Sequence, residues 1–382
     1  MSELLKDNNL SKFYGGWARA PEESLSLRAE TYCQPEILEI EKRAIFAQTW
    51  QWVCHAEKLA KPGSYVTTKI RDYPILICRD LNGELRAFYN VCKHRGHELL
   101  KGEGLTKRVV CPYHAWTYTL EGQLVRAPHT DGLKNFLVKD ICLDSVQVEE
   151  FCSFVFVNLD PNATSLSEQS GSLGEEINFW APDLANLTFS HRLTYNIKSN
   201  WKNVVDNFLE CYHCPVAHKD FCTLVDMDTY RVTTHGIWSS HMAEAGKSAN
   251  SAYSVSEATV KDHAVWWLWP NTCLMRYPGR GNFIVMHIIP LDVDNTYETY
   301  DFFFETADPT ESELEAINYI DEVLQVEDIA LVESVQRGMS TPAFTQGRIV
   351  HDPGGSGKSE HAVHHFHGLI LDSYRKWESN GR

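Results

Sequence analysis

The sequence predicts an α+β fold: a small all-β domain followed by a larger domain in which an antiparallel sheet carries helices. Three observations lead there. Short β-rich runs fill residues 52–160, strands and long helical patterns come in separate blocks after that, and a Ser- and Gly-rich run at residues 165–174 lies between the two textures as a linker candidate. The regular alternation of strand and helix that marks a parallel sheet is missing.

Taken in order, residues 15–50 look helical, because Ile37, Ile40, Ala44 and Ile45 recur at helical spacing. Strands are expected at residues 64–70, 73–78, 85–91 and 154–159, and Glu121-Gly122 separates two β-prone runs as a hairpin turn would. The second block predicts strands at residues 193–197, 264–269, 283–289 and 297–306 and helices at 201–212, 311–338 and 359–377. Thr310 and Glu313 form a capping-box pattern at the start of the second helix. The expected division is an arm at residues 1–45 packing on the larger domain, a β domain at 46–165 and the larger domain at 166–382.

Composition narrows the function. With 382 residues, 43% hydrophobic and 23% charged, the chain can bury two cores. Its net charge of −16 argues against nucleic acid and anionic membranes, whose phosphates are bound through Lys and Arg. Residues 1–14 lack the apolar centre of a signal peptide, and no run approaches the roughly 18 apolar residues of a membrane span, so the cytoplasm is expected. Eleven cysteines without a secretory signal do not suggest a disulfide framework.

Four of those ligand types form a first constellation: Cys92-Lys-His94, sixteen intervening residues, then Cys111-Pro-Tyr-His114. Two thiolates and two imidazoles can hold a tetrahedral zinc or a two-iron cluster in which one iron takes both Cys and the other both His. One Cys and one His per loop suits the cluster, since each loop then serves both irons, whereas zinc fingers more often pair like with like. Gly96, Gly102, Gly104 and Pro112 give the loops turn chemistry. The pattern is complete without His97, which is expected to order its loop.

A second constellation holds Glu210, His213 and His218. Five residues on an unbroken helix turn about 140°, so the histidines would not share a face. Pro215 is expected to end or kink the helix and let them converge. Two imidazoles and a carboxylate make the facial triad that holds non-haem iron. Asp328 is the candidate carboxylate, with Leu324, Leu331, Val332 and Val335 along the same predicted stripe; Glu327 and Glu333 lie off its centre, as surface or supporting groups. A helix-face carboxylate can equally pair with Arg or Lys; beside a histidine pair a metal suits it.

Cys111-Pro-Tyr-His114-Ala-Trp116 resembles the Rieske signature of aromatic-ring hydroxylating and related oxygenases, and the run Glu210 to His218 with a late Asp resembles their catalytic domain. The resemblance covers essentially the whole chain. It implies a Rieske [2Fe-2S] domain, a helix-grip-like catalytic domain with a mononuclear non-haem Fe(II), and an NAD(P)H-dependent flavin or ferredoxin-type reductase as partner. It also implies a homotrimer, in which the acid at position 210 links His114 of one subunit to His213 of the next.

Most of that family has Asp where this chain has Glu210, and Glu there is similar to the branch acting on quaternary ammonium compounds of the carnitine and betaine type. Residues 160–164, 327–337 and 359–367 are similar to the same branch. The resemblance implies hydroxylation by O2 of a carbon next to the nitrogen, then C–N cleavage to an aldehyde and an amine. A trimethylammonium group is held by aromatic faces, and Trp266, Trp269, Tyr277 and Phe283 are the candidates, with Trp267 sent to the opposite face by strand alternation. The alternative within the family is a ring-hydroxylating dioxygenase of an aromatic acid, which would share every metal ligand.

Overall fold

The computed structural model describes residues 10–246 and 259–379; residues 1–9 of the stretch read for a signal peptide lie outside them. The chain forms two compact units, Phe46–Gln169, and Met1–Ile45 together with Ser170–Arg382.

The Phe46–Gln169 unit is all β, apart from short helical turns. Its strands are β1 (Gln51–His55), β2 (Ser64–Ile70), β3 (Tyr73–Arg79), β4 (Leu85–Tyr89), β5 (Glu103–Leu105), β6 (Val109–Val110), β7 (Thr117–Tyr118), β8 (Leu124–Arg126), β9 (Ser145–Phe151) and β10 (Phe154–Asn158). Seven pair in the order β1-β10-β9-β4-β3-β2-β5, and β6-β7-β8 form a small separate sheet. Strand alternation sorts the core in two. Ile75 and Ile77 join a cluster with Val155 and Val157, while Leu76 and Cys78 face a second cluster with Phe88, Tyr118, Cys92 and Cys111. The expected hairpin forms between β7 and β8, and its Gly122 has φ +91° with no room for a Cβ against the Phe88 ring.

The other unit is built on one antiparallel sheet of β11 (Thr188–Ile197), β12 (Arg231–His235), β13 (Trp238–Ala243), β14 (His263–Leu268), β15 (Thr272–Arg276), β16 (Asn282–Pro290) and β17 (Thr296–Phe304), in the order β11-β17-β16-β15-β14-β13-β12. Helices Trp201–Phe208, Gln325–Met339 and His361–Ser379 belong to this unit, and the side chain of Asn200 caps the first by accepting from Lys202 N–H. The predicted capping box of Thr310 and Glu313 is present. A buried carboxylate ties three segments together: Glu41 accepts from Trp201 Nε1 at 2.8 Å, Lys202 Nζ at 2.7 Å and the Tyr374 hydroxyl at 2.6 Å. Each donor satisfies a charge that would otherwise be costly to bury.

Several local expectations are corrected. The boundary between the two units, Gln169/Ser170, falls inside the 165–174 run read as a linker, but the run is helical: Leu166–Ser170 and Leu173–Trp180 occupy most of it, because Leu166, Leu173 and Ile177 are buried anchors that composition alone does not weigh. The helical reading of residues 15–50 holds only near its end, at Glu30–Cys33, Pro35–Glu41 and a π turn at Lys42–Phe46. Upstream the backbone bonds to a distant loop instead, as in Ala29 N–H to Thr345 O and Ser26 N–H to Gly347 O. The single helix expected at 311–338 is interrupted by a π turn at Ile320–Leu324, between Glu311–Tyr319 and Gln325–Met339.

Candidate metal centres

In the all-β unit, Cys92 and Cys111 begin two loops closed in the same way. Cys92 N–H donates to His97 O and Gly96 N–H to Cys92 O; Cys111 N–H donates to Trp116 O and Ala115 N–H to Cys111 O. Gly96 and Ala115 take positive φ at the matching position, +70° and +56°. The two thiols are buried close enough for Cys111 to interact with Cys92, while His94 is exposed and His114 half-buried. The imidazoles turn Nδ1 toward Nδ1 at 3.2 Å, and Trp116 stacks on His94 with centroids 4.9 Å apart. Buried sulfurs and outward imidazole nitrogens at one place are the donor set a two-iron cluster with mixed ligands requires. Tyr118, which the sequence did not single out, sends its hydroxyl to Cys92 Sγ at 3.3 Å and accepts from Lys93 N–H at 3.0 Å. His97 lies outside this set and closes its loop through its carbonyl, as expected.

In the second unit, the helix predicted over 201–212 stops at Phe208. Glu210 ends it: its Oε2 accepts from His213 N–H at 3.1 Å and also from Tyr212 N–H, so the next turn starts afresh. Pro215 therefore opens the short helix Cys214–Ala217 and does not terminate the first one, in keeping with its preference for a helix's first turn. His213 precedes that turn and His218 follows it, which is how residues five apart come together. A disulfide joins Cys211 to Cys214 across the same corner, a local link that cysteine counting did not reveal.

His213, His218 and Asp328 converge. His213 Nε2 lies 3.1 Å from His218 Nε2 and 3.6 Å from Asp328 Oδ1, which is 3.0 Å from His218 Nε2. Metal–ligand bonds of about 2.1 Å at right angles put neighbouring donors about 3 Å apart, so this triangle fits one face of an octahedron. The outer nitrogens are held by carboxylates: His213 Nδ1 by Glu210 Oε1 at 2.5 Å and His218 Nδ1 by Glu327 Oε2 at 2.7 Å. Both inner nitrogens thus keep their lone pairs for a metal. Burial opposes charge on His218, but the hydrogen bonds and charges of Asp328 and Glu327 outweigh it and lift its pKa to about 9, which marks the spot as one that favours a cation.

Asp328 reaches the site differently from the prediction. Its side chain is 24% exposed, and Leu331 and Val335, expected to be buried beside it, are 38% and 44% exposed. All three lie in the regular helix Gln325–Met339, which buries Gln325, Val332 and Gln336, so its inward face is turned from the apolar stripe that the sequence suggested. Glu333 accepts from Lys198 N–H, away from the triad.

A cavity of about 180 Å³ opens on the triad, lined by Glu210, His218 and Asp328 and by sheet residues including Val265, Met275, Met286, Glu298 and Tyr300. Of the four aromatic candidates only Tyr277 lies on its wall. Trp266 and Phe283 stack on each other with centroids 6.3 Å apart, and Trp266 Nε1 donates to Glu176 Oε1 on the Leu173–Trp180 helix. They face the side of the sheet away from the cavity, since Val265, paired with Met275, takes the inward parity of β14. Trp269 packs on Phe366. Glu298 was missed altogether, although a carboxylate on the parity of Tyr300 and Phe302 in a strand of aromatics was the available signal. Burial and the charge of Asp328 push its carboxyl well above the usual range.

These two centres define the class. The chain belongs to the Rieske oxygenases: residues 49–137 match the Rieske [2Fe-2S] domain and residues 184–376 the ring hydroxylating alpha subunit (catalytic domain). Within that family it is 40% identical to the carnitine monooxygenase oxygenase subunit of Escherichia coli (strain K12), over 93% of this chain and 95% of that one. Choline monooxygenase, chloroplastic, of Beta vulgaris is 33% identical over 91% of this chain and 76% of its own. A solved quaternary ammonium Rieske monooxygenase in complex with L-carnitine superimposes with a TM-score of 0.85 at 35% identity, covering 94% of this chain and 98% of that one. No helix among the described residues is long and apolar enough to cross a membrane.

Proposed function

We propose that this chain is the oxygenase subunit of a Rieske monooxygenase acting on a quaternary ammonium compound of the carnitine and betaine type. The observation that carries the reading is 40% identity to a carnitine monooxygenase oxygenase subunit over 93% of the chain, joined to a facial triad beside a cavity. Cys92, His94, Cys111 and His114 would hold the cluster, and His213, His218 and Asp328 the iron. When bound, these groups supply electrons and the activation of dioxygen.

The chain's own residues hold and orient. Glu210 and Glu327 fix the histidine rings, and the largely apolar cavity wall excludes water from the reacting carbon. One oxygen atom enters the C–H bond next to nitrogen, and the other leaves as water with two electrons and two protons. The hydroxylated carbon then forms its carbonyl as the C–N bond breaks: the bonding pair goes to nitrogen, the hydroxyl proton is released, and the amine departs. Glu210 would also face His114 of a neighbouring copy in a homotrimer, as the electron bridge between centres. An NAD(P)H-dependent flavin or ferredoxin-type reductase would supply the electrons, in the cytoplasm.

Metal analysis and oxygen uptake test this together. The purified holoenzyme should hold about three irons per chain, two in the cluster and one at the triad. Oxygen uptake should follow carnitine, γ-butyrobetaine, choline or glycine betaine, with aldehyde and amine formed; consumption with benzoate-type acids alone would overturn the substrate class.

A further inference from the structure

Buried carboxylates in this fold are met by donors. Glu41 has Lys202, Trp201 and Tyr374; Asp301 has Arg192; Asp80 has Arg86 and the backbone N–H groups of Asn82 and Glu84. Glu298 is different. It is the third residue of β17, 1% exposed, and neither of its oxygens has a hydrogen-bond partner among the described residues. The pairing register sets it between Tyr195 of β11 and Ile288 of β16, on the cavity wall that also carries Tyr300. Besides His218 and His263, the described lining holds one Arg and no Lys: Arg276, whose guanidinium is held in a bidentate pair by Asp183.

An ionised carboxylate in such a place is costly unless it finds a counter-charge. A cation arriving from outside relieves that cost. The surroundings also say what kind: besides the carboxylate, the lining offers the rings of Tyr230, Tyr277, Tyr300 and Tyr319. A primary ammonium would need several acceptors for its N–H groups, whereas a quaternary one needs charge and aromatic faces.

We propose that Glu298 recognises the positive charge of the substrate and so sets the preference of the cavity for quaternary ammonium compounds over neutral molecules of the same shape. This rests on the substrate class proposed above and adds the residue responsible for it. A neutral aromatic substrate in the same cavity would leave Glu298 without a counter-charge.

The test compares two ligands on the iron- and cluster-loaded enzyme by calorimetry: γ-butyrobetaine, and the carbon isostere in which a tert-butyl group replaces trimethylammonium. The wild type should prefer the cation. Glu298→Gln, nearly the same in shape, should weaken cation binding on the order of 30-fold or more, as expected for loss of one member of a buried charge pair, and leave the isostere within about threefold. Iron content and thermal midpoint confirm that the variant is folded. An unchanged preference in Glu298→Gln, or equal loss for both ligands, would overturn the assignment while the substrate class stands. A wild type that binds neither γ-butyrobetaine, carnitine nor choline overturns the substrate class, and the assignment with it.

Discussion

Removing Glu327 should loosen the iron without touching a ligand. Its Oε2 accepts from His218 Nδ1 at 2.7 Å, which fixes the ring so that Nε2 points at Asp328 and His213. In Glu327→Ala the ring can rotate or carry its proton on the other nitrogen. A hydrogen bond to a charged acceptor contributes about 1.5–3 kcal/mol, and because this carboxylate is 37% exposed the lower part of that range applies after screening. That corresponds to a roughly 10-fold loss of Fe(II) affinity, within the span of about 10–100-fold seen for groups supporting metal ligands. Competition against a colorimetric Fe(II) chelator measures it, with cluster absorbance as the internal control. Glu327→Gln keeps an acceptor and should recover most of the affinity. A Glu327→Ala enzyme binding iron within a factor of about two of wild type would refute the orienting role.

Three further outcomes are expected. Glu210→Gln should retain iron at both centres but slow substrate turnover by about tenfold or more, since the charge holding His213 Nδ1 is lost; full turnover would exclude Glu210 from the path. Trp266→Leu should lower stability by about 2–4 kcal/mol in thermal melts yet leave substrate binding unchanged, while Tyr277→Leu should weaken binding with a smaller loss of stability. Glu360, pushed up to about 7 by burial with Glu210 and Asp206 adding to it, should make the fold less stable as pH rises. Its folded pKa exceeds the ordinary 4.5, so the cost is absent below that pH and full above about 7. Glu360→Gln should therefore melt higher than wild type at pH 8, by about 1–3 kcal/mol, with the difference vanishing at pH 4; an equal difference at both would count against titration as the cause.

The ligand sets were legible because their chemistry is local. Cys92 with His94, and Cys111 with His114, carry their meaning within a few residues, and so does His213 with His218 once the long helix is allowed to end before them. The cavity wall was not legible, since it depends on pairing register. Trp266 and Trp267 differ by one position and face opposite sides of the sheet, and nothing in the run itself says which side holds the cavity. Glu298 shows the converse: a charge on the inward parity was visible, but its meaning needed the register with Tyr195 and Ile288. The break at Phe208 was misplaced because the Glu210 carboxylate stops the helix there, and no propensity scale weighs a side chain that accepts from N–H groups two and three residues ahead.

The π turn at Ile320–Leu324 makes one ligand depend on counting. A π turn holds one more residue than the α-helical path it replaces, and each residue of helix turns the chain by about 100°. The orientation of Asp328 is thus set by how many residues precede it as much as by which ones they are. Exchanging side chains within the turn, or deleting one residue there to restore the α-helical path, leaves the carboxylate aimed at His213 and His218, whereas deleting one residue of the regular helix between Leu324 and Asp328 would swing it about a quarter-turn away. Among natural variants of this helix, changes of letter should be common and changes of length confined to the turn.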